Sequence, residues 1–187
     1  MRIISGILKG RKILEPTDKH TRPLKDLTKE SLFNLISHSK NFDFKMKSAK
    51  VLDIFAGTGS FGLECISRGA SSVVFIENYS NALRILNKNI SNINLEKNSN
   101  VLAVDLFETN VLELLNIKFD LIFLDPPYKE QRIFDLFKKI ELSNVIQKNT
   151  LIVVHRHKKD KNEIPKSFKK IEDRTYGISR IIFYSLT

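Results

Sequence analysis

The chain has 187 residues, 42% of them hydrophobic and 28% charged, with one cysteine and no tryptophan. That is enough apolar material to fill one domain and too much for a disordered chain. A lone cysteine excludes an intrachain disulfide and suits a reducing compartment, and no run of about 18 apolar residues offers a membrane helix. The formal net charge of +10 is uneven: residues 1–50 hold 12 Lys+Arg against 5 Asp+Glu, and residues 51–187 hold 19 against 16. A basic front on a nearly neutral body points to a polyanionic partner, because phosphate contacts supply most sequence-independent nucleic-acid affinity. Lysines on a solvated surface are the plainer alternative.

In chain order, the opening "MRIISGILKGRK" has too short an apolar run for a secretory signal, so a cytoplasmic protein is expected. "RIISG" and "GRKILEP" can pair as a hairpin, and Thr28 is expected to cap a helix through Leu32, Phe33, Leu35 and Ile36. Residues 1–40 thus read as a small basic extension, and residues 41–187 as the main domain. In the extension, Arg11, Lys12 and Arg22 either contact phosphate or solvate the hairpin.

From residue 50 the strand-like runs "KVLDIF", "SVVFIE", "NVLAV", "FDLIFLD" and "TLIVVH" alternate with helical patterns, "LFETNVLELLNI" and "EQRIFDLFKKIEL" among them. Continuous apolar strands separated by helices predict a doubly wound α/β domain with a parallel sheet covered on both faces. After residue 157, "SFKKIEDRTYG" and "ISRIIFYSL" predict an antiparallel hairpin turning at Gly177. The expected fold is therefore a seven-stranded, mostly parallel, Rossmann-like sheet ending in that hairpin. The Lys-rich "RHKKDKNEIPK" reads as a solvated loop.

"DIFAGTGSFGLE" places Gly57, Gly59 and Gly62 where the first strand turns into a helix. The spacing fits a dinucleotide loop, a loop for S-adenosylmethionine, or a tight turn without a ligand. Glu77, at the end of the second strand and 20 residues after Gly57, can accept both hydroxyls of an adenosine ribose. Asp105, after the third strand, can read an adenine amino group or simply cap a helix. Asp53 favours the sulfonium cofactor: its carboxylate would repel a pyrophosphate and attract a methionine ammonium, unless it only hydrogen-bonds the loop backbone. Phe55, Gly57 and Gly59 complete the candidate cofactor cradle.

"LIFLDPPYKE" puts Asp125, Pro126, Pro127 and Tyr128 at the carboxyl end of the fourth strand. Two prolines end a central strand and stiffen the loop. An Asp125 carboxylate and a prolyl carbonyl, both rigid, can accept the two N–H bonds of an aromatic amine and aim its lone pair at a methyl donor. Tyr128 can stack on the base, a contact worth about 1–3 kcal/mol.

On "MRIISGILKGRK…RPLKDLTKESLFNLI", "LDIFAGTGSFGLE" with "FIE", and "DPPY", the chain resembles the bacterial RsmD-like small-subunit ribosomal RNA guanine-N2 methyltransferases over essentially its whole length. The resemblance implies S-adenosylmethionine as donor and a guanine of 16S rRNA as acceptor, within a small-subunit assembly particle, with a monomeric enzyme. It also implies cofactor contacts by Asp53, Gly57, Gly59, Glu77 and Asp105, base handling by Asp125, Pro126 and Tyr128, and an RNA-facing extension. The chain departs from the family pattern in having Leu24, Leu27 and Lys29 in place of a hydroxyl and two arginines, Lys29 keeping a charge, and His155 where a glutamate is usual. His20, His38, His155 and His157 show no metal-ligand spacing, so no metal is expected, and Cys65 reads as a buried thiol. Alternatives are a DNA adenine-N6 methyltransferase, a non-catalytic RNA-binding assembly factor on the same fold, and a nicotinamide dehydrogenase.

Overall fold

A computed structural model describes residues 1–16, 26–160 and 163–187. Seven strands, β1 (Lys50–Ile54), β2 (Ser72–Glu77), β3 (Ser99–Ala103), β4 (Leu121–Leu124), β5 (Leu151–His157), β6 (Phe168–Tyr176) and β7 (Ser179–Leu186), form one sheet in the order β3-β2-β1-β4-β5-β7-β6. The first five are parallel; β7 runs antiparallel between β5 and β6. The strand runs and the terminal hairpin predicted from the sequence are the ones observed.

The helices are α1 (Asp26–His38), α2 (Ser60–Ser67), α3 (Ser80–Asn92), α4 (Val111–Leu114) and α5 (Ile133–Leu142). Among the described residues, no helix is long and apolar enough to cross a membrane. Because successive strand side chains alternate faces, the sheet builds two cores. Val51, Phe123 and Val153 pack with α1, α2 and α3 on one side, while Leu52, Ile122 and Ile152 pack with α5 on the other. On the first side, the Phe61 ring stacks between those of Phe33 and Phe123, at 5.1 and 3.9 Å, which links α1, α2 and β4.

Two expectations change. Thr28 does not precede its helix: it lies inside α1 and is buried. The pattern "LFETNVLELLNI" yields only the single turn of α4, because its carbonyls find other donors. The Lys139 ammonium binds the carbonyls of Leu106, Phe107 and Thr109 at 2.9–3.1 Å, satisfying groups that a helix would otherwise have paired.

Lys29, the charge kept where the family pattern has an arginine, lies inside the protein. Its side chain is fully buried, donating to the Arg2 carbonyl at 2.8 Å and the Ser60 hydroxyl at 3.1 Å, with Glu64 at 3.6 Å. Glu64 is equally buried and accepts from the Ile4 and Ser5 amides at 2.7 and 2.9 Å and from Arg68 Nε at 2.8 Å. Burial lowers the Lys29 pKa, and the Glu64 and Asp26 carboxylates oppose that shift.

The N-terminal hairpin is pinned along its length. It has an Arg2–Lys12 bridge, a Leu8 amide bond to Ser67 Oγ, and Asn89 of α3 bonding both Leu14 and the Thr58 carbonyl. Ile3 and Ile13 enter the same apolar cluster as α1 and α2. Glu64→Ala removes the partner of a buried cation and strands two amides, a class of change that costs about 3–5 kcal/mol. Urea unfolding should show that loss, and Glu64→Gln should lose less.

Candidate active site

The strand order reverses between β1 and β4, the point at which doubly wound sheets open a crevice at their carboxyl ends. Register brings the candidate residues there. Ile54 lies beside both Ile76 and Leu124, and Leu124 lies beside Val154, so Glu77 and Asp125 emerge from the strands on either side of β1 and its glycine loop, with His155 on β5 next to Asp125. Asp105 follows β3 at the same end.

The loop is set by its backbone. Phe55, Gly57 and Gly59 have φ of 60°, 56° and 82°, and Gly59 is the residue from which α2 starts. A left-handed Phe55 is unusual for a residue with a Cβ, and such strain gathers at binding sites. Gly62 serves packing instead: a Cβ there would collide with the Phe75 ring, so its absence lets α2 lie on the sheet.

Asp53 is 1% exposed, and its Oδ2 accepts the Gly62 amide at 3.0 Å. Its Oδ1 is buried with no hydrogen-bond partner. Burial pushes this carboxyl well above its ordinary range; the Gly62 amide opposes the shift, and the Asp125 and Glu77 carboxylates add to it. An orphaned, buried carboxylate oxygen beside a glycine loop suits a cationic group.

Glu77 braces the cradle: Oε2 accepts from the Gly57 amide at 2.7 Å, and Oε1 from the Asn78 and Tyr79 amides at 2.9 Å. Asp105 accepts from the Phe107 amide at 2.8 Å and from Asn78 Nδ2 at 2.9 Å. Phe107, which the sequence did not mark, lies 6.2 Å from the Phe55 ring, with the Arg132 guanidinium 3.7 Å above its own ring. Beside Asp105 this makes an aromatic wall able to hold a flat heterocycle.

On the other side of the crevice Pro126 is buried, Pro127 exposed and Tyr128 half-buried. Arg156, 2% exposed, holds this loop from beneath, donating to the carbonyls of Pro127 at 3.0 Å and Glu130 at 2.8 Å and lying 3.0 Å from Asp160. The His155 ring bonds Asp125 Oδ1 through Nδ1 at 2.8 Å. The sequence marked His155 only as a departure from the family pattern and read Arg156 into the solvated loop "RHKKDKNEIPK"; instead Arg156 and His157 end β5 and Arg156 is buried, since nothing local reveals what faces a strand end. Arg11 and Lys12 are exposed on the N-terminal hairpin; Arg22 lies outside the described residues. Among the described residues, no three His, Cys, Asp or Glu side chains group to hold a metal.

The family described as "Conserved hypothetical protein 95" matches residues 1–185. The chain belongs to this family. It is 34% identical to the ribosomal RNA small subunit methyltransferase D of Buchnera aphidicola (Acyrthosiphon pisum), covering 89% of this chain and 83% of the relative. It is 32% identical to YlbH of Bacillus subtilis across 98% of both chains. The solved structure of Escherichia coli yhhF superposes with a TM-score of 0.84 at 24% identity, covering 100% of this chain and 97% of that one, which supports the fold. With relatives named as rRNA methyltransferases, the chain is a methyltransferase of this family.

Arg156→Met should loosen the loop without moving the glycine turn. Hydrogen–deuterium exchange should accelerate at the amides of residues 128–130 by about tenfold, as expected for local opening. Exchange across residues 57–62 should stay unchanged.

Proposed function

We propose that the protein transfers a methyl group from S-adenosylmethionine to the exocyclic N2 amino group of a guanine in small-subunit rRNA. The observation that carries this reading is the pairing of two different carboxylates across one crevice. Asp53 keeps a buried oxygen without a partner beside the glycine turn, and Asp125 sits on a proline-stiffened loop opposite it. The relative named ribosomal RNA small subunit methyltransferase D supports the substrate class.

The residues present fit the cofactor. Asp53 would receive the methionine ammonium, Glu77 the ribose hydroxyls, Asp105 the adenine amino group, and the Phe55–Phe107 wall the adenine ring. When bound, the sulfonium supplies an electrophilic methyl carbon. Asp125 and the Pro126 carbonyl accept the two N–H bonds of the target amine, which directs its lone pair toward that carbon; Tyr128 stacks on the base. The base has to leave its helix for its amine to reach Asp125. Catalysis then comes from orientation and exclusion of water, with the proton of the methylated amine leaving to Asp125.

The N-terminal extension, residues 1–40, supplies the RNA-facing surface. Arg2, Lys9, Arg11 and Lys12 are exposed on a hairpin that hydrogen bonds to α2 and α3 hold in place. Their contacts are to phosphate, so affinity falls with salt without a change of target. The enzyme acts as a monomer in the cytoplasm, on rRNA within an assembling small subunit.

Glu77→Ala should weaken S-adenosylmethionine binding by roughly tenfold or more in calorimetry, because it removes the ribose acceptor and the brace of the Gly57 amide. Asp125→Asn should leave that affinity within about threefold and lower turnover by about a hundredfold, the scale of a lost proton acceptor. Mass-spectrometric mapping of rRNA from cells lacking the protein should show one N2-methylguanine missing. Retention of all of them, or loss of a methylated adenine instead, would overturn the substrate assignment.

A further inference from the structure

The acceptor carboxylate is not alone. His155 is 6% exposed, and its Nδ1 lies 2.8 Å from Asp125 Oδ1, while its Nε2 is buried with no hydrogen-bond partner. An ionised carboxylate can only accept, so the Nδ1 nitrogen carries the proton and the neutral ring keeps its lone pair on Nε2. Asp125 is therefore the group that fixes both the tautomer and the orientation of this ring, and the ring in turn fixes the carboxylate.

We propose that His155 is the positioning residue of the acceptor site: its Nδ1–H holds Asp125 Oδ1, leaving Oδ2 for the incoming amine, and protonation at Nε2 turns the site down. The proposal rests on the amine-methylating reading above. In the transfer, the amine lone pair forms the new N–C bond as the S–C bond breaks and its electrons return to sulfur. The surplus proton on nitrogen passes to the Asp125 carboxylate and then to water. A doubly protonated His155 makes that carboxylate a poorer proton acceptor; a neutral His155 keeps the orienting bond without the charge.

Among the described residues, charged and titratable groups reach the ring from several elements. Asp125 comes from the end of β4, Arg156 and His157 from its own strand, and the Tyr128 ring lies edge-on at 6.4 Å; β7 sets Ile181 opposite it, and beyond Ile181, β6 sets Arg174. Burial disfavours the charged ring, but the Asp125 charge and hydrogen bond outweigh burial and Arg156, so His155 titrates above its ordinary 6.5. Turnover therefore rises with pH through the His155 titration and levels off above it.

The test uses the full chain, labelled S-adenosylmethionine and small-subunit particles, counting methyl groups on any acceptor atom. His155→Ala should lower kcat by about tenfold to a hundredfold, the scale of a misoriented catalytic group, with cofactor affinity within about twofold. His155→Asn, which puts a non-titrating N–H near the Nδ1 position, should recover most of the rate at high pH and lose the acidic limb of the profile. Independently of turnover, NMR of the free protein should show the His155 titration falling when Asp125 is changed to Asn. Equal kcat in wild type and His155→Ala at every pH, an acidic limb surviving in His155→Asn, or a His155 titration indifferent to Asp125→Asn would each overturn the proposal. A methyl group mapped to an atom other than guanine N2 would remove the substrate assignment alone, since the assay and the titration do not depend on which amine is modified.

Discussion

Glu64 is the point through which the basic N-terminus and the crevice at the sheet's carboxyl end are joined. A carboxylate with no solvent exposure is tolerated only if its oxygens are fully used, and here they collect two backbone amides from the hairpin, Arg68 from its own helix and the Lys29 cation from α1. Three pieces of chain distant in sequence therefore meet on one residue of α2. That helix starts directly after Gly59, so whatever fixes its body also fixes the turn that would receive the cofactor. The exposed Arg11 and Lys12 sit on the strand that faces this anchored one, through the Arg2–Lys12 bridge.

A second constraint is electrostatic. Parallel strands end side by side, and β1, β2 and β4 bring Asp53, Glu77 and Asp125 to one end of this sheet. Their mutual repulsion, added to burial, keeps the Asp53 carboxyl reluctant to ionise. A cationic ligand relieves that repulsion where a pyrophosphate would worsen it. The same crowding explains why Asp125 is found against an imidazole and why Glu77 is surrounded by amides: each carboxylate has its own means of bearing its charge.

Much of the fold could be read in the chain because strands buried on both faces are written as uninterrupted apolar runs, and "SVVFIE" and "LIFLD" admit little else. The crevice was legible for the same reason: Glu77 and Asp125 stand where those runs stop. What escaped was whatever depends on a partner far along the chain. Lys29 stood out only as a charge kept where the family pattern has an arginine, and Glu64, 35 residues on, was not singled out. "LFETNVLELLNI" had the spacing of a helix, but Lys139 takes carbonyls that such a helix needed.

By itself, then, the sequence determined the sheet, the glycine turn and the stiff Asp-Pro-Pro-Tyr loop, since each is set by local sterics and by the period of apolar residues. Only the tertiary structure decided which charges are buried and what they face. A register of strands set His155 against Asp125, and helix packing set Lys29 against Glu64. Desolvation and pairing are properties of neighbours in space, and no local pattern of residue types records them.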